Sequence, residues 1–125
     1  MPASAVILSD DLLFASRITA VAAGLGLTVT QARSLDALAD LARQQPPGCV
    51  LVDLAQPGLA VPELIRRLQA VSATMPLVVA YGSHVDAAGL RAARAAGCDL
   101  VLPRSKFVEE LPRLLPEWVA GRPGE

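Results

Sequence analysis

The chain has 125 residues, a formal net charge of −1 and 53% apolar residues, of which few are aromatic. This length suits one domain, and the apolar fraction excludes a disordered chain. The near-zero charge argues against duplex DNA or an anionic membrane as the main partner. The sequence has neither a secretory signal nor an apolar run long enough to span a membrane, so we expect a cytoplasmic protein.

Apolar residues alternate along the chain between short strand-like runs and helix-like stripes. The strand-like runs cover residues 5–8, 28–30, 49–52, 77–80 and 100–102. Helical stripes follow them at residues 14–25, 35–42, 61–71, 86–96 and 107–118. Ser34 is suited to cap the second helix, and Gly97 to end the fourth. Five strand-then-helix units predict an α/β fold, a five-stranded parallel doubly wound sheet with helices on both faces.

The whole chain, residues 1–125, is expected to form a single domain with a core of about 4–120 and a loose tail at 121–125. Cys49 and Cys98 are expected to be buried free thiols. Ser105 is suited to cap the last helix, but Pro112 and Pro116 lack the N–H groups that a helix interior needs. We therefore expect a short turn near 106–111 and a new helix that starts near Pro112.

Acidic residues gather where the predicted strands end. Asp10 and Asp11 follow the first strand, and Asp53 follows the third. Ligands of open parallel sheets bind at this edge, so neighbouring first and third strands would bring three carboxylates together. Oxygen ligands of this kind suit Mg²⁺, and a carboxylate beside that ion can attack a phosphoryl donor. The alternative is that each residue only caps a helix, which is the common role of a single Asp at a strand end.

Five segments carry further patterns in a fixed order: VILSDD at 6–11, CVLVDLAQPG at 49–58, ELIRRL at 63–68, MPLVV at 75–79 and AAGCD at 95–99. Together they resemble a receiver domain of the bacterial response-regulator family, over about residues 4–120. The resemblance implies a flavodoxin-like sheet with strand order 2-1-3-4-5. It also implies that Asp53 is the phospho-acceptor. Asp11, Asp53 and the Ala55 carbonyl would bind Mg²⁺ directly, and Asp10 would act through water.

The chain departs from the family pattern at the residues that respond to phosphorylation. Tyr81 stands where the family has Thr or Ser, and its hydroxyl lies too far from the backbone for the same contact. Ser83 is a possible substitute if its loop shifts. Arg104 stands where the family has Lys, and Ser105 replaces the usual proline. Val101 replaces the usual aromatic residue of the fifth strand.

For Tyr81 the alternative is a packing residue that covers the mouth of the pocket. For Arg104 the alternatives are a phosphate contact or a surface pair with a pocket carboxylate.

Two functions follow from this resemblance, and neither is a metabolic enzyme. The first is a stand-alone receiver in two-component signalling. It would take phosphate from a histidine kinase, a phosphotransfer protein or a small donor and act by docking on a protein target. The second is a pseudo-receiver, a constitutive interaction or dimerisation module in which an Arg104–Asp53 salt bridge mimics the activated charge balance. Both predict a monomer or homodimer that binds neither nucleic acid nor membrane.

A flavodoxin-like cofactor carrier shares the sheet order. It would need a phosphate loop free of carboxylates, so Asp10 and Asp11 argue against it.

Overall fold

The computed structural model describes residues 4–122, in which every predicted strand is followed by its helix. The strands are β1 (Ser4–Leu8), β2 (Thr28–Ala32), β3 (Cys49–Asp53), β4 (Leu77–Gly82) and β5 (Leu100–Pro103). The helices are α1 (Leu12–Gly24), α2 (Leu35–Gln44), α3 (Val61–Val71), α4 (Ala87–Ala96) and α5 (Arg104–Val119). None of the helices in this part of the chain is long and apolar enough to cross a membrane.

All strand pairs are parallel, and their order is β2-β1-β3-β4-β5. The predicted fold and strand order are therefore confirmed. β3 is buried along its whole length, because helices cover both faces of the sheet centre. The carboxyl ends of β1, β3, β4 and β5 consequently meet at one edge.

The core has two layers, one on each face of the sheet. One layer is formed by α1 and α5 and holds all four aromatic side chains, Phe14, Tyr81, Phe107 and Trp118. The other is formed by α2, α3 and α4 and is built from Leu, Val and Ala side chains together with the free thiol of Cys98. Cys49 is also a buried free thiol, so that prediction is confirmed for both cysteines.

Two helix ends form as the sequence predicted. The Ser34 hydroxyl accepts a hydrogen bond from the Ala37 N–H and caps α2. α4 ends at Gly97, whose φ of 116° is left-handed and favours glycine.

The prediction for the last helix is wrong, because α5 is continuous from Arg104 to Val119. Pro112 and Pro116 lie four residues apart on its exposed face, and each removes one N–H donor from the helix. The inner face buries Phe107, Leu111 and Leu115, and this burial offsets the lost hydrogen bonds. Ser105 is not the N-cap, since Pro103 holds that position and no side chain caps the helix.

The described residues include the first two positions, 121 and 122, of the tail expected at 121–125. The Arg122 guanidinium pairs with the Asp99 carboxylate at 2.8 Å. Residues 123–125 of the expected tail lie outside the described residues.

Gly48, which precedes β3, packs directly against the end of α5. A Cβ at this position would overlap the Val119 carbonyl, which is backbone and has little room to move. Gly48→Ala is therefore expected to lower the free energy of unfolding by about 1–3 kcal/mol, as overpacking does. Urea denaturation measures this difference.

Gly24→Ala is the matched control, because its new Cβ would meet open space at the end of α1. Gly24→Ala should leave the free energy of unfolding unchanged or raise it by up to about 1 kcal/mol, because alanine has the higher helix propensity. Equal stability of the Gly48→Ala and Gly24→Ala variants would contradict the close approach of α5 to Gly48.

Candidate functional site

Asp53, the last residue of β3, lies at the edge where four strands end, and its side chain is only 4% exposed. Its Oδ2 accepts a hydrogen bond from the Ser9 hydroxyl at 2.7 Å. Its Oδ1 accepts one from the Ala55 N–H at 2.9 Å. These two bonds orient a buried carboxylate and partly replace the water that it has lost.

Ser9 is a site residue that the sequence analysis did not single out. It is fully buried after β1, and its hydroxyl accepts a hydrogen bond from the Asp11 N–H at 3.1 Å while it donates to Asp53. One side chain thus links the acidic pair of β1 to the acceptor at the end of β3. The available signal was a small hydroxyl residue between a buried strand and the acidic pair.

Asp11 caps α1, as the helix-capping alternative predicted. Its Oδ1 accepts a hydrogen bond from the Phe14 N–H at 3.0 Å, and its Oδ2 lies 3.3 Å from the Arg104 guanidinium. The Phe14 N–H, aided by Arg104, holds the pKa of the Asp11 carboxyl below its usual range.

Asp10 is exposed, and its backbone N–H bonds to the loop between β3 and α3. Its N–H donates to Gln56 Oε1 at 2.8 Å, and Gln56 Nε2 donates to the Arg33 carbonyl at 2.8 Å. Gln56 is thus a second residue that the sequence analysis missed, since it joins segments far apart in the sequence.

The carboxylates of Asp10, Asp11 and Asp53 flank the ends of adjacent strands, but their hydrogen bonds go to separate partners. Across residues 4–122 no three His, Cys, Asp or Glu side chains form a group that could hold a metal ion. Mg²⁺ usually needs only one or two carboxylates, with water and phosphate completing its shell. Each Asp53 oxygen accepts one hydrogen bond and keeps further acceptor capacity. The donor chemistry of Asp53, Asp11 and the Ala55 carbonyl therefore fits a hard cation.

Arg104 begins α5 and reaches the acidic pair rather than the acceptor. Its guanidinium carbon lies 3.9 Å from the centroid of the Phe14 ring, a cation–π contact that holds it over the first turn of α1. Its ionic partner is Asp11. The Arg104–Asp53 salt bridge that we considered for a pseudo-receiver is therefore wrong for this structure, because the stacking on Phe14 directs the guanidinium to Asp11.

Tyr81 packs inside the core instead of covering the mouth of the pocket. It pairs with Asp53 in the sheet register and is fully buried. Its ring stacks on Phe107 at a centroid distance of 4.4 Å and lies 5.2 Å from Phe14. Its hydroxyl lies close to the Ser9 side chain but forms no hydrogen bond of normal geometry with a residue in the described part of the chain. Burial, aided by the negative charge of Asp53, raises the pKa of this hydroxyl.

The unpartnered hydroxyl of Tyr81 leads to a stability prediction. A buried polar group without a partner costs about 1–3 kcal/mol, and phenylalanine keeps the ring. Tyr81→Phe is therefore expected to raise the free energy of unfolding by about 1 kcal/mol in urea denaturation, with an unchanged m-value. A loss of stability would mean that the hydroxyl does form a hydrogen bond.

The loop after β4 completes the site. Ser83 and His84 are exposed, and both line an open cleft that also contains Asp53 and Arg104. The Ser83 hydroxyl accepts a hydrogen bond from the Val85 N–H at 3.3 Å, so it closes its own loop. No hydrogen bond joins Ser83 to Asp53 among residues 4–122, and its role as a substitute for the family hydroxyl stays a prediction.

Solved structures that resemble the chain are receiver domains. The signal receiver domain of a response regulator from Bermanella marisrubri is 26% identical, with a TM-score of 0.77 over 95% of this chain and 99% of that one. The receiver domain of NtrX from Brucella abortus is 16% identical, with a TM-score of 0.77 over 93% of this chain and 97% of that one. No protein-family model and no curated protein sequence matches the chain.

A third similar structure is the receiver domain of the sensor histidine kinase PA1611 from Pseudomonas aeruginosa PAO1. It is 20% identical, with a TM-score of 0.78 over 97% of this chain and 100% of that one. Its active-site cleft holds a coordinated magnesium ion. The chain therefore has the receiver fold of response regulators, as the sequence motifs predicted.

Proposed function

We propose that the chain is a receiver in two-component signalling that accepts a phosphoryl group on Asp53. The observation that carries the proposal is the buried Asp53 carboxylate, which Ser9 and Ala55 orient at an edge open to a cleft. A carboxylate held in this way is a suitable nucleophile for phosphoryl transfer. The similarity to solved receiver domains supports the same role.

In the proposed reaction, an Asp53 oxygen attacks the phosphorus of a phosphohistidine or a small acyl phosphate. The bond from phosphorus to the donor's nitrogen or oxygen breaks, and its electron pair stays with the donor. The product is an aspartyl phosphate. Mg²⁺ held by Asp53, Asp11 and the Ala55 carbonyl would supply charge neutralisation for the transferred group. The nearby Arg104 guanidinium adds a fixed positive charge at the same edge.

The proposed partners are proteins. A histidine kinase or phosphotransfer protein would donate the phosphoryl group in the cytoplasm. The surface of α4, β5 and α5 would then dock on a downstream target, with the chain acting as a monomer or homodimer. This role is that of a switch, and it requires no metabolic activity.

The proposal is tested by the intact mass of the protein after incubation with acetyl phosphate. With Mg²⁺ the wild-type chain should gain the mass of one phosphoryl group. Without a donor, or with the metal chelated by EDTA, the gain should disappear. The proposal would be contradicted if the protein gained no mass with Mg²⁺ and acetyl phosphate and also gained none with a panel of histidine kinases.

A pseudo-receiver is the second candidate, and two buried residues favour it. Tyr81 is locked in an aromatic stack, and Val101 is 5% exposed within the opposite core layer. The Tyr81 hydroxyl is buried and Val101 has no ring, so neither residue offers the accessible hydroxyl or the movable ring that the family uses to respond to phosphate. For this candidate we expect equal binding of a target to the phosphorylated and unphosphorylated protein, whereas a receiver should bind it at least tenfold differently.

A further inference from the structure

The two oxygens of the Asp53 carboxylate have different surroundings. Oδ1 accepts a hydrogen bond from the Ala55 N–H at 2.9 Å, and Ala55 lines the open cleft. Oδ2 accepts one from the Ser9 hydroxyl at 2.7 Å, and Ser9 is fully buried and does not line the cleft. A phosphoryl group that enters through the cleft therefore meets Oδ1, while Oδ2 stays with Ser9.

The Ser9 hydroxyl is fully engaged at this site. Its single hydrogen goes to Asp53 Oδ2, and its oxygen accepts a hydrogen bond from the Asp11 N–H at 3.1 Å. Between residues 4 and 122 no other group donates a hydrogen bond to Oδ2. Removal of the Ser9 hydroxyl would therefore leave this carboxylate oxygen without a donor from the described part of the chain.

The strength of the hydrogen bond from Ser9 depends on the charge of Asp53. A hydrogen bond to a carboxylate is roughly twice as strong as one between neutral groups. Phosphorylation of Oδ1 turns Oδ2 into the carbonyl oxygen of an acyl phosphate, so the bond from Ser9 becomes weaker. Hydrolysis restores the carboxylate and the stronger bond. The Ser9 hydroxyl thus stabilises the free Asp53 carboxylate relative to the aspartyl phosphate.

We propose that Ser9 shortens the lifetime of the aspartyl phosphate by stabilising the Asp53 carboxylate as it leaves, an inference that rests on the proposed phosphorylation of Asp53. In this step a water oxygen attacks the phosphorus from the cleft, and the bond from phosphorus to Oδ1 breaks. The electron pair stays with the Asp53 carboxylate, and the attacking water loses a proton to the solvent. The products are aspartate and inorganic phosphate. The negative charge that develops on the carboxylate is shared with Oδ2, where the Ser9 hydroxyl already points.

The test measures how long the phosphoryl group stays on the protein. Wild-type protein and the Ser9→Ala variant are treated with acetyl phosphate and Mg²⁺, the donor is removed by desalting, and the intact mass is followed over time. The half-life of the phosphorylated form should be about tenfold longer in Ser9→Ala, which corresponds to the difference between a charged and a neutral hydrogen bond. A substitution that only loosened the site would admit water and shorten the half-life, so the sign of the change separates the two roles.

Three controls isolate the hydrogen bond from a general loss of stability. Ser9→Cys keeps a side chain of similar shape with only a weak donor, so it should also lengthen the half-life, and it decides the question if Ser9→Ala does not fold. Ser34→Ala removes the hydroxyl that caps α2 and should keep the wild-type half-life despite its lower stability. In denaturing urea the wild type and all three variants should lose phosphate at one rate, because Ser9 meets Asp53 only in the folded chain.

The outcomes separate this inference from the proposed function. If the wild type is phosphorylated and the folded Ser9 variants have the same half-life or a shorter one, the role of Ser9 is overturned and the proposed function stands. An equally long half-life in Ser34→Ala would also overturn it. If neither the wild type nor a folded Ser9 variant gains a phosphoryl group from acetyl phosphate or a histidine kinase, the proposed function fails and the inference fails with it.

Discussion

The Asp53→Asn variant is expected to incorporate no phosphoryl group from acetyl phosphate while it keeps the wild-type fold. An amide is not a nucleophile for phosphorus under these conditions, so the loss should be complete within the detection limit of intact-mass spectrometry. Asp53 is the one carboxylate at this edge that is both buried and oriented by two hydrogen bonds. Asp10 and Asp11 are more exposed, and Asp11 is already engaged with Phe14 and Arg104.

The fold should survive because asparagine has nearly the same shape as aspartate. Its carbonyl oxygen can still accept from the Ala55 N–H, and its NH₂ group can donate to the Ser9 hydroxyl oxygen. We expect a stability change within about 1 kcal/mol by urea denaturation.

Asp86→Asn is the matched control for Asp53→Asn. Asp86 is an exposed N-cap of α4, and asparagine caps equally well. The Asp86→Asn variant should be phosphorylated like the wild type. Phosphoryl incorporation into a folded Asp53→Asn variant would place the acceptor elsewhere.

Phe107→Ala is expected to cause the largest loss of stability, about 3–5 kcal/mol. Phe107 is fully buried at the centre of the aromatic cluster, with ring centroids 4.4 Å from Tyr81 and 5.9 Å from Trp118. Domains of this size have about 5–15 kcal/mol of stability, so the variant should be close to unfolding at room temperature. Urea denaturation followed by tryptophan fluorescence measures the difference, since Trp118 lies in the same cluster.

Phe107→Leu is the conservative control for this position. It keeps most of the buried volume and should cost clearly less than alanine. If Phe107→Ala lowered the free energy of unfolding by less than about 1 kcal/mol, α5 would not pack on the sheet as described.

The sheet and the position of Asp53 could be predicted because both depend on short-range patterns. Each apolar run with its following stripe identifies one strand and one helix, and the parallel order brings the strand ends together. Asp53 directly follows the fully apolar run at 49–52, so its burial at the edge follows from the assignment of that run to a central strand.

The contacts that define the site in detail join residues far apart in the chain. Arg104 and Asp11 are 93 positions apart, and the stacking of Arg104 on Phe14 depends on how α1 and α5 pack. Sequence periodicity carries no information on such a pair. The direction of Tyr81 was missed for a similar reason, because the space that accepts its ring is formed by Phe14 and Phe107 from two other elements.

The prediction for α5 failed because local propensity was given more weight than burial. Two prolines argue for a break in any isolated helix. Here they lie on the exposed face, while Phe107, Leu111, Leu115 and Trp118 hold the inner face in the core. The spacing of the prolines relative to this apolar stripe was the signal that could have predicted a continuous helix.

The central claim is that the Asp53 carboxylate itself carries the phosphoryl group. Borohydride reduces an aspartyl phosphate to homoserine, and peptide mass mapping then locates that residue. After treatment with acetyl phosphate and Mg²⁺, the account predicts homoserine at position 53 and at no other position. Homoserine at position 10 or 11, or an intact aspartate at position 53 in protein that has gained a phosphoryl group, would contradict it.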